Sequence, residues 1–370
     1  MQDRRTHGAV TPDSLFSPVV SAGGFVFVSG LSGTDEAGKP VEGGVQPQLR
    51  RALDRLKAAL ESAGSSLAQT VAVHVYMKSA ADFDAMNTAY REIFTDKPPT
   101  RTTIVGALPD GVLVMIAATA VANGIEREVM LPAGWKASPR PYSYIVRANG
   151  LVFFSGLVNR RGATDEVVTG PVSTQMKTIL DNAAVLLKTA GLGFEDVVSS
   201  RVFLTDDSSF EEMNNEYRTR FARNPPARAT AIVELMAAGT FAELTMIAST
   251  TGKTILGPQI SPSLPLSTAV RAGRFTFLSG VLGNTDETKD SVEAQTKEVL
   301  ARISRTLKDA GLGPADVVEN LVYLPDLWQT KPMSAVTRPF FPADPPAGAL
   351  VGAKLAARAG VVEMMMTAYK

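Results

Sequence analysis

The sequence predicts an α/β protein made of three tandem copies of one module. Three strand-like apolar runs each end in Ser-Gly, and the three serines are 126 and 124 residues apart. A glutamine that precedes an Ala-Gly pair by 16 residues recurs in every copy. Two landmarks repeated in phase are typical of duplicated domains. The landmarks are Ser29-Gly30, Ser155-Gly156 and Ser279-Gly280, with Gln48, Gln175 and Gln295.

The length of the chain also predicts several domains, because 370 residues exceed what one compact core normally holds. Gly- and Pro-rich stretches between the copies predict modules at 1–127, 128–254 and 255–370. The N-terminal residues MQDRRTHGAV lack the apolar centre of a secretion signal. The longest apolar run, about 112–122, is too short to span a membrane. We therefore expect a cytoplasmic protein with no membrane partner.

Composition excludes several kinds of site. Lys plus Arg and Asp plus Glu each number 37, so no net basic field favours nucleic acid. The chain has no cysteine and two histidines, His7 and His74. Thiol catalysis, cysteine-bound zinc and a three-histidine metal site are thus excluded. We expect no metal and no other cofactor.

The order of elements within a copy is predicted by its hydrophobic periodicity. In the first copy Leu49, Leu53, Leu56 and Leu60 define an amphipathic helix, and a β-rich run follows it. A second helix is predicted at about 82–94, and two further strands close the copy. The order β-β-α-β-α-β-β lets the helices cover only one face of the sheet. We expect the other faces of the three sheets to pack around one central axis, which makes the chain an intramolecular pseudo-trimer and a monomer in solution.

Further repeated residues indicate which protein family the chain resembles. Each of the first two copies has Asn-x-x-Tyr-x-x-x-Phe on its second helix, beginning at Asn87 and Asn214, followed by Pro-x-Arg and a later strand. Together with the Ser-Gly and Gln landmarks, this order resembles the RidA/YjgF family of imine deaminases over nearly the whole chain, three times. The resemblance implies a chorismate-mutase-like fold, ligand clefts between neighbouring modules, and hydrolysis of small 2-imino or enamine carboxylates to a 2-keto acid and ammonia.

The functional positions of the family are distributed unevenly over the copies. The middle copy resembles the full pattern, the first copy lacks the tyrosine and glutamate, and the third lacks the tyrosine, asparagine and arginine. In the middle copy the matching residues are Tyr142, Ser155, Gly156, Asn214, Arg228 and Glu243, while Thr230 stands two residues past the arginine where the family often has cysteine. The partial sets imply a second cleft from Ser29, Gly30, Asn87, Arg101 and Glu363. The missing places hold Phe16 and Met115 in the first copy, and Leu266, Ser334 and Gly348 in the third.

The chemistry needs a cation for the substrate carboxylate and a carboxyl group that moves protons for the attacking water. We assign these catalytic roles to Arg228 and Glu243, and expect both in one cleft. Tyr142, Ser155, Gly156, Asn214 and Thr230 are the expected substrate-binding residues. Because the clefts are composite, Arg228 also fits a site whose aromatic wall comes from a neighbouring module.

Two other functions stay open at this point. A non-catalytic small-carboxylate binding protein fits the loss of motif residues from two copies. A ring-opening amidohydrolase fits three fused modules but needs a Ser-Lys pair in each. Lys188 and Lys308 align with Glu61 on helices predicted to be solvated, which disfavours it. Ser155 and its counterparts also fit a purely local role at a strand end.

Overall fold

Each module folds as one mixed β-sheet with two α-helices on its outer face. The computed structural model describes residues 3–258, 261, 263–289, 291–341 and 344–370. The first module contains β1 (Arg5–His7), β2 (Val19–Ala22), β3 (Phe25–Ser32), α1 (Val45–Ser62), β4 (Thr70–Met77), α2 (Phe83–Ile93), β5 (Thr100–Val105) and β6 (Val114–Val121).

The second and third modules repeat this order. The second contains β7 (Arg127–Met130), β8 (Ile145–Ala148), β9 (Leu151–Phe154), α3 (Val172–Thr189), β10 (Val197–Leu204), α4 (Phe210–Arg218), β11 (Ala227–Ile232) and β12 (Ala242–Ser249). The third contains β13 (Thr254–Leu256), β14 (Ala269–Ala272), β15 (Phe275–Leu278), β16 (Val281–Leu282), α5 (Val292–Asp309), β17 (Val317–Tyr323), α6 (Thr330–Thr337), β18 (Ala347–Val351), β19 (Lys354–Leu355) and β20 (Glu363–Tyr369).

The sheets share one topology. In the first, the strands lie in the order β1-β2-β3-β6-β4-β5, with β4 and β5 parallel and the other neighbours antiparallel. The predicted order is confirmed, with one additional short strand opening each module. The chain enters the second sheet at Arg127 and the third at Thr254. Strand β19 leaves its own module and pairs with β11 of the second.

The outer face of each sheet is closed by its long helix. In the first module Leu49, Leu53, Leu56 and Leu60 lie on one side of α1 and are fully buried against the sheet. Their three- and four-residue spacing places them on one stripe, which is the pattern that predicted this helix. The inner face of the sheet is therefore left for contacts with the other two modules.

The inner faces meet in a shared apolar core on the pseudo-threefold axis. The ring of Phe25 lies 5.9 Å from that of Phe153 and 5.4 Å from that of Phe275, so aromatic residues of all three modules are in contact. Buried valine, alanine and phenylalanine side chains of the three sheets continue this core. The predicted pseudo-trimer is confirmed, because each module buries its second face against its neighbours within one chain.

A polar layer that the sequence did not reveal interrupts this core. His74, Arg201 and Glu319 come from different modules, and Arg201 Nη1 donates to His74 Nε2 at 3.0 Å. Arg201 Nη2 lies 3.9 Å from Glu319 Oε2. The groups line an internal cavity of about 40 Å³, enough for a few water molecules. Burial, reinforced by the Arg201 charge, lowers the pKa of His74 well below its ordinary value, so the imidazole is neutral.

We expect Phe25→Ala to lower the free energy of unfolding by about 3–5 kcal/mol, because it leaves a cavity where three modules meet. Phe241→Ala is the matched control, since that ring is 40% exposed. Urea denaturation measures both changes. Equal and small losses would contradict an axial core that holds the modules together.

Candidate functional site

The end of the Ser-Gly strand joins each module to its predecessor. Ser155 Oγ accepts a hydrogen bond from Arg101 N at 2.9 Å and donates to Ser143 O at 2.7 Å, and Gly156 N donates to Arg101 O at 3.0 Å. These bonds favour a role for Ser155 and Gly156 in the joint between modules over the predicted ligand contacts. Every cleft is consequently composite: its arginine strand comes from one module and its Ser-Gly strand from the next.

The same joint recurs at the other two module boundaries. Arg228 N donates to Ser279 Oγ at 2.8 Å, and Gly280 N donates to Arg228 O at 3.0 Å. Gly348 N donates to Ser29 Oγ at 2.8 Å. The modules therefore close a ring of three clefts, named here the 1–2, 2–3 and 3–1 clefts after the modules that form them.

The 1–2 cleft contains Arg101 from β5 and Glu243 from β12. Tyr142 and Phe83 also line it. A Cβ on Gly156 would lie 1.8 Å from Glu243 Oε1, so only glycine leaves room there for the carboxyl group. The cleft thus combines a buried cation, a buried carboxyl group and aromatic walls.

Arg101 is held in place before any ligand arrives. Its Nη2 donates to Asn87 Oδ1 at 2.7 Å, and its Cζ lies 4.9 Å from the ring centre of Tyr90 and 5.5 Å from that of Tyr142. Burial lowers the pKa of Arg101, which nevertheless stays charged near neutrality. Asn87, predicted as a cleft residue, acts through this hydrogen bond to Arg101.

Burial raises the pKa of Glu243 to about 8, against the opposing effects of the Arg101 charge and a backbone hydrogen bond from Thr103. The carboxyl group is therefore mostly protonated at pH 7. A group whose pKa lies near neutrality can both give and take a proton there.

The 2–3 cleft repeats the charged pair with Arg228 and Glu363. The Arg228 guanidinium lies 4.8 Å from the ring centre of Tyr217 and 5.9 Å from that of Phe210. Asn214 shares this face of α4, and its Oδ1 has no hydrogen-bond partner in the described part of the chain. Thr230 stands two residues past Arg228 on β11. Burial lowers the pKa of Arg228 to about 10 and raises that of Glu363 to about 8.

The 3–1 cleft has lost both charged groups. A Cβ on Gly348 would meet the ring of Phe16 at 2.6 Å, and a Cβ on Gly30 would meet Met115 Sδ at 2.8 Å. Phe16 and Met115 thus occupy space beside the places where the other clefts have arginine and glutamate. Among the described residues that line it, Asp110 is the one ionisable group.

The predicted pairing of Arg228 with Glu243 in one cleft is wrong. In the second sheet Arg228 lies beside Ser200, whose hydroxyl contacts Tyr217 on the helix side, whereas Glu243 lies beside Phe203, which faces the axis. The two side chains therefore point to opposite faces of their sheet. Each glutamate instead meets the arginine of the preceding module.

The residues predicted to form one second cleft lie in three different clefts, because each cleft is formed by two modules. Arg101 and Asn87 belong to the 1–2 cleft, Glu363 to the 2–3 cleft, and Ser29 and Gly30 to the 3–1 cleft. The signal was present in the sequence, because arginine occurs in copies one and two and glutamate in copies two and three. Pairing the arginine of one module with the glutamate of the next gives two complete pairs, Arg101 with Glu243 and Arg228 with Glu363. Phe83 and Arg140 in the 1–2 cleft were missed, since no motif marks them.

Three further observations concern the lysines of the alternative amidohydrolase, metal binding and membrane spans. Lys188 and Lys308 are exposed on α3 and α5, on the outer helical layer. Over the described ranges, no group of three or more His, Asp and Glu side chains could hold a metal ion. No helix within those ranges is long and apolar enough to cross a membrane.

Comparisons with known proteins agree with this architecture. The Endoribonuclease L-PSP family model matches residues 6–122, 136–250 and 257–370. A RutC family protein of Pyrococcus horikoshii is 38% identical over 117 residues, which cover 31% of this chain and 93% of that protein. The human 2-iminobutanoate/2-iminopropanoate deaminase is 31% identical over 142 residues, covering 38% of this chain and 99% of that enzyme.

A solved chorismatase structure shares the larger arrangement. It superposes with a TM-score of 0.58 at 13% sequence identity, over 81% of this chain and 93% of that one, and at this identity it supports the fold alone. The three family matches together cover nearly all of the sequence. The chain therefore belongs to the Endoribonuclease L-PSP family, also called RidA/YjgF, of which it contains three modules in tandem.

Proposed function

We propose that the protein hydrolyses small 2-imino or enamine carboxylates to a 2-keto acid and ammonia at the 1–2 cleft. The observation that carries this proposal is a buried Arg101 facing a buried Glu243 across the module boundary. The deaminase names of the human and mouse relatives support the same class of reaction.

Arg101 binds the carboxylate of the substrate. Its planar guanidinium presents paired N–H groups that match the two oxygens of a carboxylate. Asn87 and the ring of Tyr90 fix its orientation, so little conformational freedom is lost when the substrate binds. Tyr142 and Phe83 form the walls that hold the planar imine between Arg101 and Glu243.

Glu243 moves the protons. Its acid form donates a proton to the imine nitrogen, which makes C2 a stronger electrophile. The resulting carboxylate takes a proton from water as the water oxygen bonds to C2. In the carbinolamine, Glu243 then protonates the amino group and accepts the hydroxyl proton, the C–N bond breaks, and ammonia leaves. Imine and water are consumed, keto acid and ammonia are formed, and Glu243 is regenerated as the acid.

In protein that also carries Arg228→Ala, which disables the 2–3 cleft, we expect Glu243→Gln to lower kcat/KM for imine hydrolysis by about 100-fold or more, because the amide cannot transfer a proton. Met115→Gln is the matched control, since Met115 is the buried counterpart of Glu243 in the 3–1 cleft. The assay follows release of ammonia from an imine generated in situ, corrected for spontaneous hydrolysis. Ligand-induced thermal shifts with no acceleration by the wild-type protein would instead favour a non-catalytic binding protein.

The pH dependence follows from the raised pKa of Glu243. The acid form starts the reaction, so kcat/KM should fall as pH rises through about 8. With the 2–3 cleft and its Glu363 disabled by Arg228→Ala, this limb should be lost in Glu243→Gln. Initial rates between pH 6 and 10, corrected for the spontaneous reaction, measure it. A wild-type rate that rises through this range would contradict the role of Glu243 as the initial proton donor.

A further inference from the structure

The two charged clefts share an arginine and a glutamate but differ at their mouths. In the 1–2 cleft Arg140 and Arg160 join the lining beside Tyr142. Counted from the Ser-Gly landmark, Asn284 is the residue of the third module that corresponds to Arg160. Backbone hydrogen bonds identify which residues of the third module correspond to Arg140 and Tyr142.

Leu264 and Leu266 stand at the places of Arg140 and Tyr142. Tyr142 N donates to Arg140 O at 2.8 Å, and Leu266 N donates to Leu264 O at 2.9 Å. In both modules the next residue is a serine whose Oγ donates at 2.6 Å to a proline carbonyl of the preceding module. The two segments therefore have the same local conformation and carry different side chains into equivalent positions.

The 1–2 cleft has a surplus of positive charge. Arg140 is half-buried, with its Cζ 5.4 Å from the ring centre of Phe83, and it is close enough to Arg101 to lower that residue's pKa. Among the described residues its guanidinium forms no ion pair, whereas Arg160 pairs with Asp165 at 3.2 Å. Arg140 is thus free to bind a second acidic group on a ligand whose first carboxylate is held by Arg101.

The second cation of the 2–3 cleft is Arg218, whose charge lowers the pKa of Arg228 as the charge of Arg140 lowers that of Arg101. Unlike Arg140, Arg218 already donates to Ser263 O and to Asn215 Oδ1, as Arg91 donates to Pro139 O beside the 1–2 cleft. Arg91 and Arg218 are therefore common to both clefts and do not distinguish them. Leu264 and Leu266 hold the places of Arg140 and Tyr142, so among the described residues no arginine stands at the place of Arg140 in the 2–3 cleft.

Arg228 itself indicates that the 2–3 cleft accommodates a ligand. Its residue is 1% exposed, and none of its three guanidinium nitrogens has a hydrogen-bond partner within the described ranges. Buried donors without acceptors are unfavourable, and they mark places where an ion or water belongs. A carboxylate would satisfy two of these N–H groups at once.

We infer that the chain has two non-equivalent ligand sites: the 1–2 cleft binds 2-imino acids with a second acidic group, and the 2–3 cleft binds 2-imino monocarboxylates with an apolar side chain. This inference rests on the proposed function for the chemistry of the substrates. It adds a second site and a division of substrates by charge.

The test compares imines produced in situ from glutamate and from leucine by amino-acid oxidases, with semicarbazide trapping the imine that is not hydrolysed. Arg140→Leu, which installs the residue of the other cleft, should lower the glutamate-to-leucine ratio of kcat/KM by about tenfold or more. Arg101→Ala should shift the ratio towards leucine and Arg228→Ala towards glutamate. Arg223→Leu, at an exposed arginine, controls for loss of surface charge. Equal losses on both substrates in every variant would overturn the division.

Binding of the stable keto acids separates this inference from the proposed function. Calorimetry with 2-ketoglutarate and 4-methyl-2-oxopentanoate needs no turnover, and Arg140→Leu should weaken only the former. If the wild-type protein accelerates neither imine but shows this selective loss of binding, the proposed function fails and the two-site inference stands. If both keto acids bind equally well to wild type and to Arg140→Leu, the inference is wrong even where hydrolysis is observed.

Discussion

The structure depends on one backbone joint, in which the Ser-Gly strand end of each module hydrogen-bonds to the arginine strand of the module before it. The pair formed by Gly156 N and Arg101 O, with the Ser155 hydroxyl accepting from Arg101 N, brings two strands of different modules into contact. It also places the carboxyl group of Glu243 opposite Arg101. The clefts are thus a consequence of how the modules associate, and no module contains a complete one.

Fusion of the modules into one chain permits the three clefts to differ. In a symmetric assembly of identical subunits, a substitution appears in every cleft. Here Gly348 and Met115 remove both charged groups from the 3–1 cleft alone, while the three modules still share an apolar core beside the polar layer of His74, Arg201 and Glu319. The polar contact between His74 and Arg201 is likewise a feature that identical subunits could not form, because each residue occurs in one module only.

The fold could be predicted from the sequence, but the pairing of residues in the site could not. In-phase repeats and helical periodicity report on contacts within a module, which is why the three sheets, their helices and the central axis could be predicted. The partner of Arg228 depends on which face of the sheet each side chain occupies, and therefore on the register of β11 and β12 against β10. That register and the contact between modules cannot be read from one copy alone; the only signal was the distribution of arginine and glutamate over the three copies. Arg140 was missed because it lies outside every repeated landmark.

A kinetic double-mutant cycle tests the central claim, that each active pair spans a module boundary. Glu243→Gln is added to Arg101→Ala and, separately, to Arg228→Ala, and imine hydrolysis is measured in each double variant. If Arg101 and Glu243 form one site, the second substitution costs little in the Arg101→Ala background and removes most of the activity that remains in the Arg228→Ala background. The reverse pattern would show that Arg228 and Glu243 act together, and would contradict the account.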